Sequence, residues 1–144
     1  MISFDTNLLL YSLNPQSKWH QKAVTVLEES LFNESVVLTD YVLVELYNLL
    51  RNSAVTKQPL SPSAACAVVT QYWKYPSVIR AENAPIMEDV WKMAAQPNFA
   101  RRRIFDVRLG LTLRHHGVTH FATANVKDFQ GLGFTKVWNP LTES

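Results

Sequence analysis

Short apolar runs alternate along the chain with longer segments in which apolar side chains recur every three or four positions. The runs at residues 1–4, 36–39 and 118–122 predict buried strands. Shorter runs at residues 78–80 and 136–138 predict two more strands. Strands that alternate with helices are typical of an α/β fold with a mainly parallel central sheet.

Helical periodicity fills most of the intervals between these strands. Apolar side chains at helical spacing predict helices over residues 17–32 and 43–50. A serine N-cap followed by proline opens a third helix over residues 61–73. A fourth, over residues 86–93, has two acidic residues near its N-terminus, where the helix dipole favours them. Residues 96–103 are predicted to form a loop.

Residues 104–116 fit two patterns. Every second side chain is apolar, which is typical of a strand. Ile104, Val107 and Leu111 also share one face of a helix, and Gly117, after two histidines, is a common helix stop. The pattern alone leaves strand and helix open.

Composition narrows the class of protein. A chain of 144 residues with 18% charged residues, four glycines and seven prolines is predicted to fold as one domain, residues 1–144. No signal-peptide pattern opens the sequence, and the single Cys66 can form no internal disulfide, so we expect a cytoplasmic protein. No apolar run is long enough for a membrane span, and the net charge of +2 does not by itself indicate nucleic acid.

Polar residues that follow the predicted strands are the first places to look for chemistry, because open α/β sheets bind ligands beyond the carboxyl ends of their strands. Asp5, Asp40 and the pair Asn125 and Asp128 have this position. Asp5 either binds a ligand or forms a turn, and the ligand is favoured. For Asp40 the role of helix N-cap is favoured, and Asp128 also fits a surface loop.

Glu45 lies on the helical stripe of Tyr41, Asn48 and Asn52, opposite a stripe of leucines. Solvent exposure explains this face. A partly enclosed acid that needs a partner or a cation explains it equally well.

If Asp5, Glu45, Asp106 and Asp128 converge, their mutual repulsion disfavours the ionised forms unless a cation lies between them. A site made only of carboxylate oxygens suits Mg²⁺ or Mn²⁺ better than Zn²⁺. When these four acids are left out of the count, eight acidic residues remain against 14 basic ones. The rest of the surface is then expected to be cationic, as the binding of RNA phosphates requires.

With these residues in order, the chain resembles PIN-domain ribonucleases, and most closely the VapC-type toxins of prokaryotic toxin–antitoxin pairs. The resemblance rests on ISFDTN at residues 2–7, VEL at 44–46, IFD at 104–106 and TANVKDF at 123–129. It covers nearly the whole chain. It implies a PIN-like α/β/α sandwich and makes residues 104–116 a helix.

The resemblance also implies a metal-dependent ribonuclease that uses Mg²⁺ or Mn²⁺ to activate water against an RNA phosphodiester. Carried over to this sequence, the catalytic acids are Asp5, Glu45, Asp106 and Asp128, and Asp5 and Asp106 are the metal ligands. Many relatives have aspartate where Asn125 stands, so Asn125 and Asp128 compete for the fourth position. The residues expected to orient ligands from behind are Thr6, Asn7 and Thr123.

The family implies a VapB-like antitoxin, an RNA substrate such as tRNA or rRNA, and a homodimer. Arg101, Arg102 and Arg103 precede Asp106 and are the predicted RNA contacts, with an antitoxin contact or a solvated loop as alternatives. The paired histidines before Gly117 are assigned to the helix dipole and the tryptophans mainly to packing.

Two other functions compete with this one. A phosphotransferase of the haloacid-dehalogenase type would use Asp5 as nucleophile, but those enzymes usually carry a second aspartate where Asn7 stands. A non-catalytic module that binds RNA or a partner would keep the fold and lose the metal. The complete set of Asp5, Glu45 and Asp106 argues against such decay.

Overall fold

The computed structural model describes residues 1–81 and 84–143, and the strands in this range form one parallel sheet. The order across the sheet is β3-β2-β1-β4-β5, with Ile2 of β1 opposite Val36 and His120. The strands are β1 (Ile2–Phe4), β2 (Val36–Thr39), β3 (Val78–Ala81), β4 (His120–Ala122) and β5 (Lys136–Trp138). The predicted parallel sheet is confirmed.

Helices cover both faces of this sheet. They are α1 (Thr6–Leu13), α2 (His20–Asn33), α3 (Asp40–Leu50), α4 (Pro62–Gln71), α5 (Met87–Ala94), α6 (Arg103–His115) and α7 (Val126–Phe129), and a 3₁₀ turn (Tyr72–Lys74) follows α4. Right-handed crossovers put α1 to α4 on one face and α5 to α7 on the other. The contacts agree, since α1 packs on α2 and α3, and α6 packs on α5 and α7. This is the expected α/β/α sandwich.

The centre of the core lies where β1 and β4 pair. Phe4 and Phe121 are buried. The centre of the Phe121 ring lies 4.6 Å from the centre of the Phe129 ring and 5.4 Å from that of Phe134. Phe4 stands opposite Ala122 in the pairing of these strands. The residues that follow the two strands are therefore neighbours on a well-packed base.

Residues 104–116 are helical, so the strand alternative is wrong and the helix expected from the resemblance is correct. The helix buries one broad face, which is formed by Val107, Leu109, Gly110 and Leu113. A side chain at position 110 would meet the Leu132 side chain. The apolar alternation does not follow this buried face, since Phe105, which belongs to the alternation, is 55% exposed. The helix ends before Gly117, whose φ of +86° suits glycine.

The N-cap prediction for Asp40 is wrong. The Thr39 side chain caps α3 by accepting a hydrogen bond from the Val42 N–H at 3.1 Å. Asp40 is the first residue of the helix and forms a salt bridge with Arg80 at 2.9 Å. The Thr39 hydroxyl reaches the N–H of the third helical residue, so the cap lies one residue earlier than predicted.

Other differences concern short elements. No helix was predicted over α1, because three consecutive leucines give no clear period, and α7 is too short for periodicity. The helix predicted from residue 17 begins at His20, and the one predicted to run to residue 73 passes into the 3₁₀ turn.

The histidine assignment agrees with the structure, since His115 ends α6 and His116 follows it. Trp19, Trp73 and Trp138 pack on the core, but Trp91 is 58% exposed and does not. None of the described helices has the length and apolar character needed to cross a bilayer.

Candidate active site

Four acidic residues from different elements surround the carboxyl ends of β1 and β4. Asp5 follows β1 directly, and Asp128 lies in α7, just beyond β4. Glu45 comes from the middle of α3, and Asp106 from the first turn of α6. The topology thus brings residues 123 positions apart in the chain to one edge of the sheet.

Asp5 is held on both carboxylate oxygens. One accepts the Thr6 backbone N–H at 2.8 Å, which caps α1, and the other accepts the Thr123 hydroxyl at 2.8 Å. Thr123 is fully buried, and its oxygen also accepts the Asn125 backbone N–H at 2.9 Å. The Thr123 hydroxyl thus accepts one hydrogen bond, from the Asn125 N–H, and donates its own proton to Asp5. The carboxylate is therefore fixed in orientation before any ligand arrives.

Thr6 connects two of the acids. Its backbone N–H bonds to Asp5, and its hydroxyl donates to a Glu45 oxygen at 2.8 Å. Glu45 is half-buried. Of the two explanations for Glu45, the enclosed acid with a polar partner is the correct one.

The four acids act on one another electrostatically. Burial, followed by the charges of Asp128, Asp5 and Glu45, raises the pKa of Asp106 to about 6, and Arg103 opposes the shift. Burial also raises the pKa of Asp5, against the hydrogen bonds from Thr123 and Thr6, and Asp128 adds to the rise. Asp5, Glu45 and Asp128 therefore all lie near enough to Asp106 for their charges to raise its pKa.

Asn125 and Asp128 remain the two candidates for the fourth position of the acidic site. Asp128 is exposed, but its charge reaches both Asp5 and Asp106. Asn125 precedes α7, is exposed, and contacts the site through its backbone N–H to Thr123. Asn7 is half-buried on α1, one residue beyond Thr6.

The side chains of Asp5 and Asp106 offer carboxylate oxygens, the type of ligand that a hard divalent cation such as Mg²⁺ prefers. Within residues 1–81 and 84–143, no three His, Cys, Asp or Glu side chains are grouped closely enough to hold a metal ion between them. Mg²⁺ usually keeps several waters and takes only one or two protein carboxylates. A two-ligand site at Asp5 and Asp106 is consistent with both facts.

The basic run lies beside this acidic group. Arg103 begins α6, donates to the Gln130 carbonyl at 3.3 Å and lies 5.6 Å from the Phe99 ring centre. Its charge lowers the pKa of Asp106. Arg101 and Arg102 are exposed in the preceding turn. The three arginines thus have unequal positions, with Arg103 partly engaged in the fold.

Tyr41 and Arg108 adjoin the acids and were not assigned from the sequence. The Arg108 guanidinium lies 5.7 Å from the Tyr41 ring centre. The pKa of Tyr41 is raised, chiefly by burial and then by the charge of Glu45, and Arg108 opposes this. The signal was present for Tyr41, which lies one helical turn before Glu45. Arg108 could be placed only after residues 104–116 were known to be helical.

Sequence comparison identifies the family. No protein-family model matches the chain. The chain is 46% identical over 142 residues to Ribonuclease VapC24 of Mycobacterium tuberculosis, covering 99% of this chain and 98% of that protein. The chain belongs to the VapC family of ribonucleases. It is also 23% identical to Ribonuclease VapC48 of the same organism, over 97% of each chain.

Structural comparison agrees on the VapC fold. The crystal structure of Mycobacterium tuberculosis VapC20, a toxin that cleaves the sarcin–ricin loop, matches with a TM-score of 0.69, covering 93% of this chain and 96% of that one. FitAB bound to a DNA fragment matches with a TM-score of 0.67, over 100% and 98% of the chains. Both are 17% identical in sequence. The chain is therefore a PIN-like VapC ribonuclease of the toxin–antitoxin class.

The Thr123 hydroxyl gives a direct test of how this VapC site is organised. We expect Thr123→Val to lower RNA cleavage roughly 10- to 100-fold, the usual range for a group that orients a metal ligand. It should also lower the free energy of unfolding by about 1 kcal/mol, because the partly buried hydrogen bond from the Asn125 N–H loses its acceptor. Cleavage rates and urea denaturation measure the two effects.

Thr123→Ser is the matched control, because serine keeps the hydroxyl and loses only a methyl group. It should recover most of the cleavage rate. Equal rates for the valine and serine variants would show that the hydroxyl does not act on Asp5.

Proposed function

We propose that this VapC ribonuclease cuts RNA at the acidic site by divalent-metal catalysis, with Asp5 and Asp106 as the ligands of Mg²⁺ or Mn²⁺. The proposal is carried by the electrostatic coupling of four carboxylates at one edge of the sheet, in a chain of this family. Bound there, the ion would polarise a water molecule and neutralise charge on the scissile phosphate. Residues 1–144 act as one PIN domain.

The chain's own groups prepare this chemistry. Thr123 and the Thr6 N–H aim the two Asp5 oxygens, and the Thr6 hydroxyl holds Glu45 on the same side. Glu45 and Asp128 are the acids left to accept a proton from the attacking water. Asn7 and Asn125 are assigned to holding a water beside these groups, and Asp128 is the favoured fourth acid because its charge reaches both ligands.

The basic flank guides the substrate. Arg101 and Arg102 are exposed beside the site, and we assign them to the RNA backbone, with Arg103 positioning the start of α6. Unpaired RNA is the preferred substrate, because its bases and backbone are accessible. The proposed partners are a VapB-like antitoxin and a second copy of the chain, acting in the cytoplasm. A monomer in light scattering at micromolar concentration would contradict the dimer.

The activity is tested with purified, antitoxin-free protein and total cellular RNA. We expect discrete fragments with Mg²⁺ or Mn²⁺, and none with EDTA or with Asp5→Asn. Asp89→Asn is the matched control, since Asp89 is exposed on α5 and lies outside the acidic group. It should cut like the wild type.

Cleavage that persists in EDTA would contradict the proposed dependence on a divalent metal. Cleavage by Asp5→Asn at the wild-type rate would contradict the assignment of the site. A folded wild-type protein that produces no fragments under either metal would support the non-catalytic module instead.

A further inference from the structure

A cleft of about 340 Å³ lies next to the acidic group. Its walls come from the junction of β2 and α3, the end of β3 and one face of α6. Ala81 and Leu109 are buried and form an apolar floor, whereas Tyr41, Phe105 and Arg108 stand exposed at the mouth. This volume is at the lower end of the range of about 300–1,000 Å³ for small-molecule sites, so it fits one unit of a polymer better than a helix or strand.

The two helices that supply acids to the active site also supply the mouth of the cleft. On α3, Tyr41 lies one turn before Glu45 and on the same stripe. On α6, Phe105 and Arg108 flank Asp106, and they share a face three residues apart. None of the four acids lines the cleft itself. Tyr41 at its mouth lies near enough to Glu45, Asp106 and Asp5 for their charges to act on it, so the cleft adjoins the acidic group.

The side chains at the mouth match the chemistry of a nucleotide. The exposed fractions of Tyr41 and Phe105, 37% and 55%, leave aromatic surface available for stacking. The Arg108 guanidinium lies 5.7 Å from the Tyr41 ring centre, so a cationic group able to bind a phosphate stands beside an aromatic ring at the mouth. Next to Tyr41 at the start of α3, the Asp40 carboxylate is paired with Arg80, so its charge is partly compensated.

From this arrangement we infer that the cleft is a nucleotide subsite, in which an unpaired base next to the scissile phosphate stacks on Tyr41 and Phe105 and Arg108 binds the adjoining phosphate. The inference rests on the proposed ribonuclease function and deepens it. It favours RNA over an antitoxin segment, because aromatic rings beside a guanidinium bind a base and its phosphate together. It also predicts a preference for single-stranded substrate, since a paired base cannot enter the cleft.

Binding tests the inference separately from cleavage. The background is Asp5→Asn, which leaves RNA intact, and the probes are fluorescein-labelled hexauridylate, hexaadenylate and a blunt RNA duplex, measured by anisotropy. We expect Tyr41→Ala to raise the Kd for both single strands about 10-fold, and the Kd for the duplex by less than 2-fold. Tyr41→Phe keeps the ring and should bind like its parent. Phe32→Ala removes a 90% exposed aromatic on α2 and is the control for surface truncation.

Arg108 is tested by the salt dependence of the same binding. Arg108→Gln should lower the slope of log K against log salt by about 0.7 for single strands, the value for one lost phosphate contact. Arg108→Lys should restore the slope. Because Tyr41 and Arg108 lie on the surface, these variants should fold, and circular dichroism checks this.

A second measurement separates a stacking role from a structural one. Once the cut is mapped, an abasic nucleotide is placed on each side of it in turn. At one of the two positions it should lower kcat/KM about 10-fold in the protein with Tyr41, and add nothing when combined with Tyr41→Ala. A structural role for Tyr41 would make the two losses multiply.

The contradictory outcomes are distinct. Unchanged single-strand binding by Tyr41→Ala overturns the subsite while leaving the nuclease in place. The subsite is also overturned if Tyr41→Ala weakens binding of single strands and duplex equally. The same holds if Tyr41→Ala weakens neutralisation by the antitoxin while the affinity for RNA is unchanged. A parent protein that binds none of the RNAs, and a wild type that cuts none, would overturn the proposed function together with the subsite.

Discussion

Replacing Asp106 with asparagine is expected to stabilise the metal-free protein and to abolish most of its activity. Burial and the three neighbouring acids hold the pKa of Asp106 at about 6, so the ionised carboxylate opposes folding at neutral pH. The full shift would correspond to about 3 kcal/mol, but the group is partly exposed and solvent screening reduces this to about 1 kcal/mol. The rate of cleavage should fall roughly 100-fold or more, since removing a group that only orients a metal ligand already lowers activity about 10–100-fold.

The stability gain from Asp106→Asn depends on pH in a defined direction. A carboxyl group whose pKa is raised by folding binds its proton more tightly in the folded state. Its penalty is therefore absent below the ordinary pKa of 3.8 and complete above the folded pKa of about 6. The difference in stability between the variant and the wild type should shrink as the pH falls from 7 to 4.

Urea denaturation in EDTA at pH 7.5, 6 and 4.5 measures this difference. Adding Mg²⁺ at pH 7.5 should then stabilise the wild type and leave Asp106→Asn nearly unchanged, because a ligand stabilises only the state that binds it. Asp89→Asn is again the control for losing a surface carboxylate. A variant less stable than the wild type in EDTA would contradict the repulsion among the four acids.

The part of the fold that could be predicted is the part with an unambiguous period. The strands at residues 36–39 and 136–138 have the predicted bounds, because short β-branched or aromatic runs flanked by polar or turn residues have few alternatives. The helix over residues 104–116 needed the family resemblance, since the exposed Phe105 continues the apolar alternation outside the buried face. The three consecutive leucines of α1 are buried against neighbouring helices, a tertiary effect that no local period records.

The acids of the site could be predicted because each follows a strand or lies on a recognisable helix. Their hydrogen bonds could not, since they join residues far apart in the chain. Thr6 reaches Glu45 across 39 positions, and Thr123 reaches Asp5 across 118. Tyr41 and Arg108 were missed for the same reason, because the cleft forms only where α3 and α6 meet.

Asp5 is expected to give the largest loss of activity, and the choice of substitution decides whether the fold is affected as well. Asp5→Asn should cleave at least about 100-fold more slowly and keep its fold, because asparagine caps a helix as well as aspartate does. Its amide can also donate to the Thr123 oxygen, while the buried charge is removed. The defect is then confined to metal binding and catalysis.

Asp5→Ala should lose the same activity and stability in addition. Alanine removes the cap of α1 and leaves the buried Thr123 hydroxyl without its acceptor, so it should be about 2 kcal/mol less stable than Asp5→Asn. Urea denaturation in EDTA compares the two variants, and cleavage of the same RNA compares their activity. Equal stability of the two would mean that the cap and the Thr123 hydrogen bond contribute little, and that Asp5 serves the metal alone.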